Sequence, residues 1–166
     1  MQSYKVKSTD TKKFTLLNNA QELGYLKYKK WFLFKAELVL ANQTTCVITP
    51  TGLLGTGAAL KKEGEVVLNF KMGWKGQLLI HSKLGGIRQN FIFKPKGFFY
   101  RSYILLDEQS QEVLILEPYY KWKKLNYDYD IAVVKEVFTD PAVNQILYLV
   151  MIHCANYYRG MMVAAS

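Results

Sequence analysis

Apolar and polar positions alternate along most of this chain with a period of two, the spacing of a strand that is wet on one face and buried on the other. In the run Phe32-Leu-Phe-Lys-Ala-Glu-Leu-Val-Leu40, positions 32, 34, 36, 38 and 40 are apolar, with Lys35 and Glu37 between them. Residues 65 to 72 repeat the pattern, placing Val66, Leu68, Phe70 and Met72 on the core side and Glu65, Asn69 and Lys71 on the wet side. A third case sets Tyr127, Tyr129, Ile131 and Val133 against Asp128 and Asp130. From about residue 13 to residue 136 the sequence therefore reads as roughly ten short strands.

Turn residues fall where hairpins need them: Glu63-Gly64, Gly85-Gly86, Pro95-Lys96-Gly97 and Asp107-Glu-Gln-Ser110. The connections are too short for the helical crossovers of a parallel sheet, so neighbouring strands are expected to pair antiparallel. No linker or tandem repeat interrupts the run, and residues 1–166 are read as one domain.

The pattern changes at Thr139-Asp140-Pro141, where Asp140 suits an N-cap and Pro141 the first helical position. A helix is predicted over about 141–164. The run Ile146-Leu-Tyr-Leu-Val-Met-Ile152 continues through Cys154, Ala155, Tyr157, Tyr158, Met161, Met162 and Val163, so most of the cylinder is apolar. Gln145, His153, Asn156 and Arg159 share one arc, but Leu149, Ile152 and Val163 interrupt it. Such a helix must be covered. A membrane span is the competing account, against which stand the polar side chains that would lie deep in hydrocarbon. The economical solution is a mainly β fold: a closed antiparallel barrel of about 10–12 strands wrapped around a central C-terminal helix, which also removes exposed strand edges.

Composition supports a globular chain, with 166 residues of which 50% are apolar and 14% aromatic. The net charge is +9, from 22 basic against 13 acidic residues, and arginine occurs only at Arg88, Arg101 and Arg159. Lysine lacks the planar fork that reads base edges, so nucleic acid is not the expected partner, while attraction to anionic surfaces is. Cys46 and Cys154 read as two buried thiols rather than a bridge. The first ten residues lack the apolar stretch of a signal peptide, which makes a cytoplasmic protein the expectation.

Two stretches carry a family resemblance. Tyr103-Ile-Leu-Leu-Asp107 followed by Val113-Leu-Ile-Leu116, and Tyr127-Asp-Tyr-Asp-Ile131 leading into the terminal apolar helix, resemble the tubby C-terminal-like superfamily. That superfamily takes in tubby domains, phospholipid scramblases and LURP-one-related proteins. The glycine usual in the turn after Asp107 is absent. The resemblance implies a barrel of about twelve strands threaded by a hydrophobic helix, a non-enzymatic role, and binding to phosphoinositides or action at membranes. No lipid-binding residue transfers from the family pattern to this chain.

Candidate binding residues come from the chain itself. Lys27-Tyr-Lys-Lys-Trp-Phe32 and Tyr119-Tyr-Lys-Trp-Lys-Lys124 mix lysine with aromatic rings, a combination suited to a bilayer interface. The candidate anion- and lipid-binding set is Lys29, Lys30, Trp31, Lys121, Trp122, Lys123 and Lys124. The plainer account makes these solvated hairpin ends whose rings close the core. Gly52-Leu-Leu-Gly-Thr-Gly57 lacks the ending of a phosphate loop and reads as a flexible strand or hairpin. His81 and His153 cannot by themselves build a metal site, and a Cys154–His81 nucleophilic pair would need a thiol that the core helix hides. Asp128 and Asp130 read as wet exterior. Arg159 is expected to reach solvent at a barrel mouth or to meet a wall carboxylate.

No catalytic residue, metal or cofactor is assigned. The leading expectation is a non-enzymatic barrel peripheral to a membrane, binding anionic phospholipid. The alternatives are a protein interaction module without a lipid role and a lipocalin-like barrel with an interior ligand cavity and an external helix.

Overall fold

The chain closes into a twelve-strand antiparallel barrel in which every strand pairs with its neighbours in sequence and the first pairs with the last. A computed structural model describes all residues except 11, 31–33, 98–100 and 166, with side chains of 162–165 also undescribed. In chain order the strands are β1 (Gln2–Ser8), β2 (Lys13–Asn18), β3 (Gln21–Lys30), β4 (Lys35–Leu40), β5 (Thr45–Thr51) and β6 (Gly57–Lys62). The second half comprises β7 (Glu65–Met72), β8 (Leu78–Ser82), β9 (Gln89–Lys96), β10 (Ser102–Leu106), β11 (Glu112–Lys121) and β12 (Asn126–Val133). The helix α1 (Pro141–Ala165) follows.

Two strand expectations are corrected. The barrel begins before residue 13: β1 pairs with β12 from Gln2↔Val133 to Val6↔Tyr129 and with β2 on its other side, and so supplies the closing seam. Its apolar signal is thin, because Tyr4 and Val6 alone alternate with Lys5 and Lys7, and Ser8 takes the third inward position. Val66, expected in the core, is 42% exposed. Leu60 pairs with Leu68 while Lys61 pairs with Val66, so β7 carries an extra residue at Val67. That bulge breaks the alternation and turns Val66 outward. Leu68 and Phe70 are buried as their spacing requires, and Met72 is half-buried.

Asp140 caps α1 through its side chain, Oδ1 accepting the Ala142 N–H at 2.9 Å. Asn144 fixes the approach, accepting from the Phe138 N–H at 3.0 Å and donating to the Phe138 carbonyl at 2.7 Å. Residues 146–158 are all buried. Thirteen consecutive residues cover more than three helical turns. The helix is therefore enclosed on every side, and the arrangement with an external helix is not the one formed. No helix among the described residues is long and apolar enough to cross a membrane.

Because consecutive strands alternate direction, their connections alternate between the two barrel ends. The helix enters beside the connections after β8 and β12, where Gly85 lies against Phe138 and Val143. It finishes among the opposite connections. There the Tyr157 hydroxyl donates to the Gly55 carbonyl at 2.6 Å, and the Tyr158 hydroxyl to the Gly76 carbonyl at 2.5 Å. These are called below the entry end and the exit end.

Candidate functional site

The exit end gathers the connections β1–β2, β3–β4, β5–β6, β7–β8, β9–β10 and β11–β12. Both lysine and aromatic clusters found in the sequence therefore belong to one end of the barrel. Lys29 and Lys30 close β3 and are exposed, while Trp31 lies outside the described residues. Lys121 closes β11, and Trp122–Lys124 form a single 3-10 turn. Trp122 is 80% exposed, so its ring does not close the core, whereas Tyr28 of the other cluster does, being buried.

The candidate lysines differ in how free they are. Lys124 Nζ donates to the Ser8 carbonyl at 2.7 Å and braces the barrel seam. Lys121 lies 4.0 Å from Asp128, whose other oxygen accepts from the backbone and the hydroxyl of Ser8. Asp128 and Asp130 are accordingly half-buried rather than fully wet. Lys29, Lys30 and Lys123 are exposed and make no salt bridge among the described residues.

Three more apolar tips share this end and were not among the binding candidates read from the sequence. Leu53 and Leu54, in the β5–β6 connection, are 91% and 97% exposed, Trp74 in β7–β8 is fully exposed, and Leu125 in β11–β12 is 70% exposed. The signal was present: Gly52-Leu-Leu-Gly55 and Gly73-Trp-Lys-Gly76 put large apolar residues between glycines in turns, where water is the default neighbour. Counting hairpins would have placed them together. Leu54 (φ 67°) and Leu125 (φ 50°) also hold left-handed backbone, which ordinarily favours glycine.

Inside the exit half runs a chain of polar groups from α1. The Tyr129 hydroxyl donates to Asn156 Oδ1 at 2.5 Å, Asn156 Nδ2 donates to the Tyr28 hydroxyl at 3.2 Å, and that hydroxyl lies 2.9 Å from His153 Nδ1. With the phenol proton donated to Nδ1, the imidazole proton sits on Nε2, which has no hydrogen-bond partner among the described residues. Phe34 and Phe70 flank the ring. Burial pushes the His153 pKa down to about 3, so it is neutral, and burial likewise raises the phenols of Tyr28 and Tyr129.

Arg159 is half-buried above this chain, but its partners are not carboxylates. Its guanidinium lies 3.3 Å from the Tyr127 ring centroid, with Tyr129 and Tyr103 at 5.4 and 5.9 Å, and Nη1 donates to the Tyr129 hydroxyl at 3.4 Å. Of the two expectations for this charge, the wall carboxylate is not met: Arg159 stays partly exposed at the barrel mouth, and aromatic faces offset the cost of its partial burial.

The Cys154–His81 pair does not assemble. His81 is exposed on the outer wall, its Nδ1 2.7 Å from Asn90 Oδ1, while Cys154 is buried inside with its thiol pKa raised by desolvation. Cys46 and Cys154 are both free. No group of three or more His, Cys, Asp or Glu side chains is arranged to hold a metal ion among the described residues. Compared with protein-family models, curated proteins and solved structures, the chain finds no match.

Proposed function

We propose that this protein docks peripherally, exit end first, on membranes containing anionic phospholipid, and acts there without catalysis. The observation that carries the reading is the convergence of Leu53, Leu54, Trp74, Trp122 and Leu125 on one end of the barrel. The large exposed apolar residues of the opposite end are fewer and carry no tryptophan: Met1 is 91% exposed, Ile87 51% and Val134 44%.

Charge follows the same division. The described exit connections hold Lys12, Lys75, Arg101, Lys123 and Lys124 against one acid, Asp10. The entry connections hold Glu63, Asp107, Glu108, Glu136 and Asp140 against Lys83, Arg88 and Lys135. Each lysine held near an anionic surface contributes about 1 kcal/mol, and the Trp and Leu tips add apolar burial among headgroups. Leucine at left-handed φ costs about 1–2 kcal/mol relative to less strained backbone, a cost without structural return at a fully exposed tip. An apolar partner at the tip supplies the return. The tubby-like resemblance points the same way, since that superfamily often works at membranes.

Sedimentation with phosphatidylcholine vesicles of rising phosphatidylserine content tests the reading. Binding is expected to rise with the anionic fraction and to fall at least tenfold in a Trp74→Ala, Trp122→Ala double variant, whose exposed rings contribute little to the fold. Absence of binding to anionic vesicles at low salt contradicts the proposal, as does equal binding by the double variant.

A further inference from the structure

We propose that the groove on the outer wall across β7, β8 and β9 is a binding site for a soluble phosphate monoester bearing a small apolar group. The site is separate from the exit-end face and stands on different residues.

The groove exists because of the bulge in β7. The extra residue opposite Lys61 turns Val66 out of the barrel, while Val67 beside it is half-buried and packs against the core, so the groove has an apolar valine edge beside its polar floor. The Val67 carbonyl accepts the Lys83 N–H at 2.7 Å and ties the β8–β9 loop to that edge. Within the loop, Gly85 (φ 63°) and Gly86 (φ 75°) hold left-handed backbone and fold the chain back. Lys83 and Arg88, on either side of the glycines, therefore line the same groove.

Its floor is a cross-strand row. Asn69 pairs with His81, and His81 with Asn90, all three exposed on the outer face. The Asn90 carboxamide oxygen can only accept, so His81 Nδ1 donates to it and the ring is held in one orientation with Nε2 left over. Glu108 is the neighbouring carboxylate, and it is committed to accepting the Asn90 N–H at 3.0 Å. Neither Arg88 nor Lys83 makes a salt bridge among the described residues.

The cavity measures about 360 Å³, within the range of small-molecule sites. Its chemistry selects the ligand. A planar guanidinium offers two parallel donors to a phosphate, an ammonium adds a point charge, and the Asn69 amide adds a neutral donor. Two cations suit a dianion better than a single carboxylate. The valine edge suits an aromatic or short aliphatic ester group. Entry-end placement turns the groove away from a membrane bound at the exit end, which favours a soluble ligand over a lipid headgroup.

Phenyl phosphate, inorganic phosphate and phenol, each titrated calorimetrically into the full chain, test the assignment. Phenyl phosphate is expected to bind saturably and more tightly than either fragment. Arg88→Gln and Lys83→Gln are each expected to weaken it at least fivefold with unchanged melting, and Trp74→Ala to leave it unaltered. Vesicles containing phosphatidic acid supply the same phosphate monoester on a lipid, and they are expected not to compete with phenyl phosphate. No saturable binding of phenyl phosphate, or full binding by Arg88→Gln, overturns the site. Competition by phosphatidic acid vesicles overturns its assignment to a soluble ligand.

Discussion

Leu54 and Leu125 place a large apolar side chain in water on a backbone that glycine would occupy at less cost. Stability and membrane contact should therefore oppose each other there. Replacing either by glycine relieves left-handed strain and removes no buried contact, at some cost in unfolded-chain entropy. Leu54→Gly and Leu125→Gly are expected to leave stability unchanged or raise it by up to about 1 kcal/mol in denaturant melts, while each weakens vesicle binding. His153 makes a second prediction. Its pKa falls from an ordinary 6.5 to about 3 on folding because burial disfavours the charged ring. The unfolded chain thus binds one more proton between those values. Stability is fully present above pH 6.5, is lost at about 1.4 kcal/mol per pH unit as pH falls, and levels off below the folded value. His153→Phe should remove this slope, and the measurement is the difference between the two proteins' unfolding free energies from pH 7 to pH 4. Side-chain roles of this kind were only partly legible in the sequence. Arg159 was readable as a charge needing a partner, but its neighbours Tyr103 and Tyr127 lie on strands more than thirty residues away. No local pattern reports that three rings will converge on one guanidinium.

At the scale of elements, α1 is both core and scaffold. Its buried stretch fills the barrel, and Tyr157 and Tyr158 brace the connections that carry Leu53, Leu54 and Trp74. A chain ending at Asp140 would leave the inward faces of twelve strands without their filling, so it is expected to be insoluble. A soluble truncation with a cooperative melt would contradict this, because it would show a core complete without the helix. The helix was the most legible element: its cap, its proline and its all-round apolar surface are local features. Hairpins with Glu63-Gly64 or Gly85-Gly86 were legible for the same reason, and these residues hold positive φ as such turns require. The β1 strand was missed because its pairing partner, β12, lies over a hundred residues away and its own alternation rests on two apolar residues. Val66 was misplaced because a bulge is set by cross-strand register, which periodicity within one strand does not contain. In the turn after Asp107, Ser110 takes φ 60°, a conformation that glycine holds at less cost. Asp107 Oδ1 compensates by accepting the N–H groups of Gln109 and Gln111 at 3.0 and 2.9 Å.

The whole molecule is polar along the barrel axis, with lysines and apolar tips at the exit end and most connection carboxylates at the entry end. Such an arrangement orients the barrel before contact, since attraction of one end and repulsion of the other act together on an anionic surface. Raising salt screens the first contribution but not apolar insertion. Vesicle binding is therefore expected to weaken between 50 and 500 mM salt (about a threefold change in Debye length) yet to persist, whereas the Trp74→Ala, Trp122→Ala variant should lose it altogether. Two candidate clusters were legible as residues but not as one face, because only the count of intervening hairpins sends them to the same end. Tryptophan fluorescence with lipid-borne quenchers measures that face directly. In single-tryptophan proteins retaining Trp74 or Trp122, and in one carrying Ile87→Trp as its sole tryptophan, anionic vesicles with shallow bromolipid should quench the first two and spare the third. Quenching at position 87, or equal protection of all three in the bound state, would contradict end-on docking.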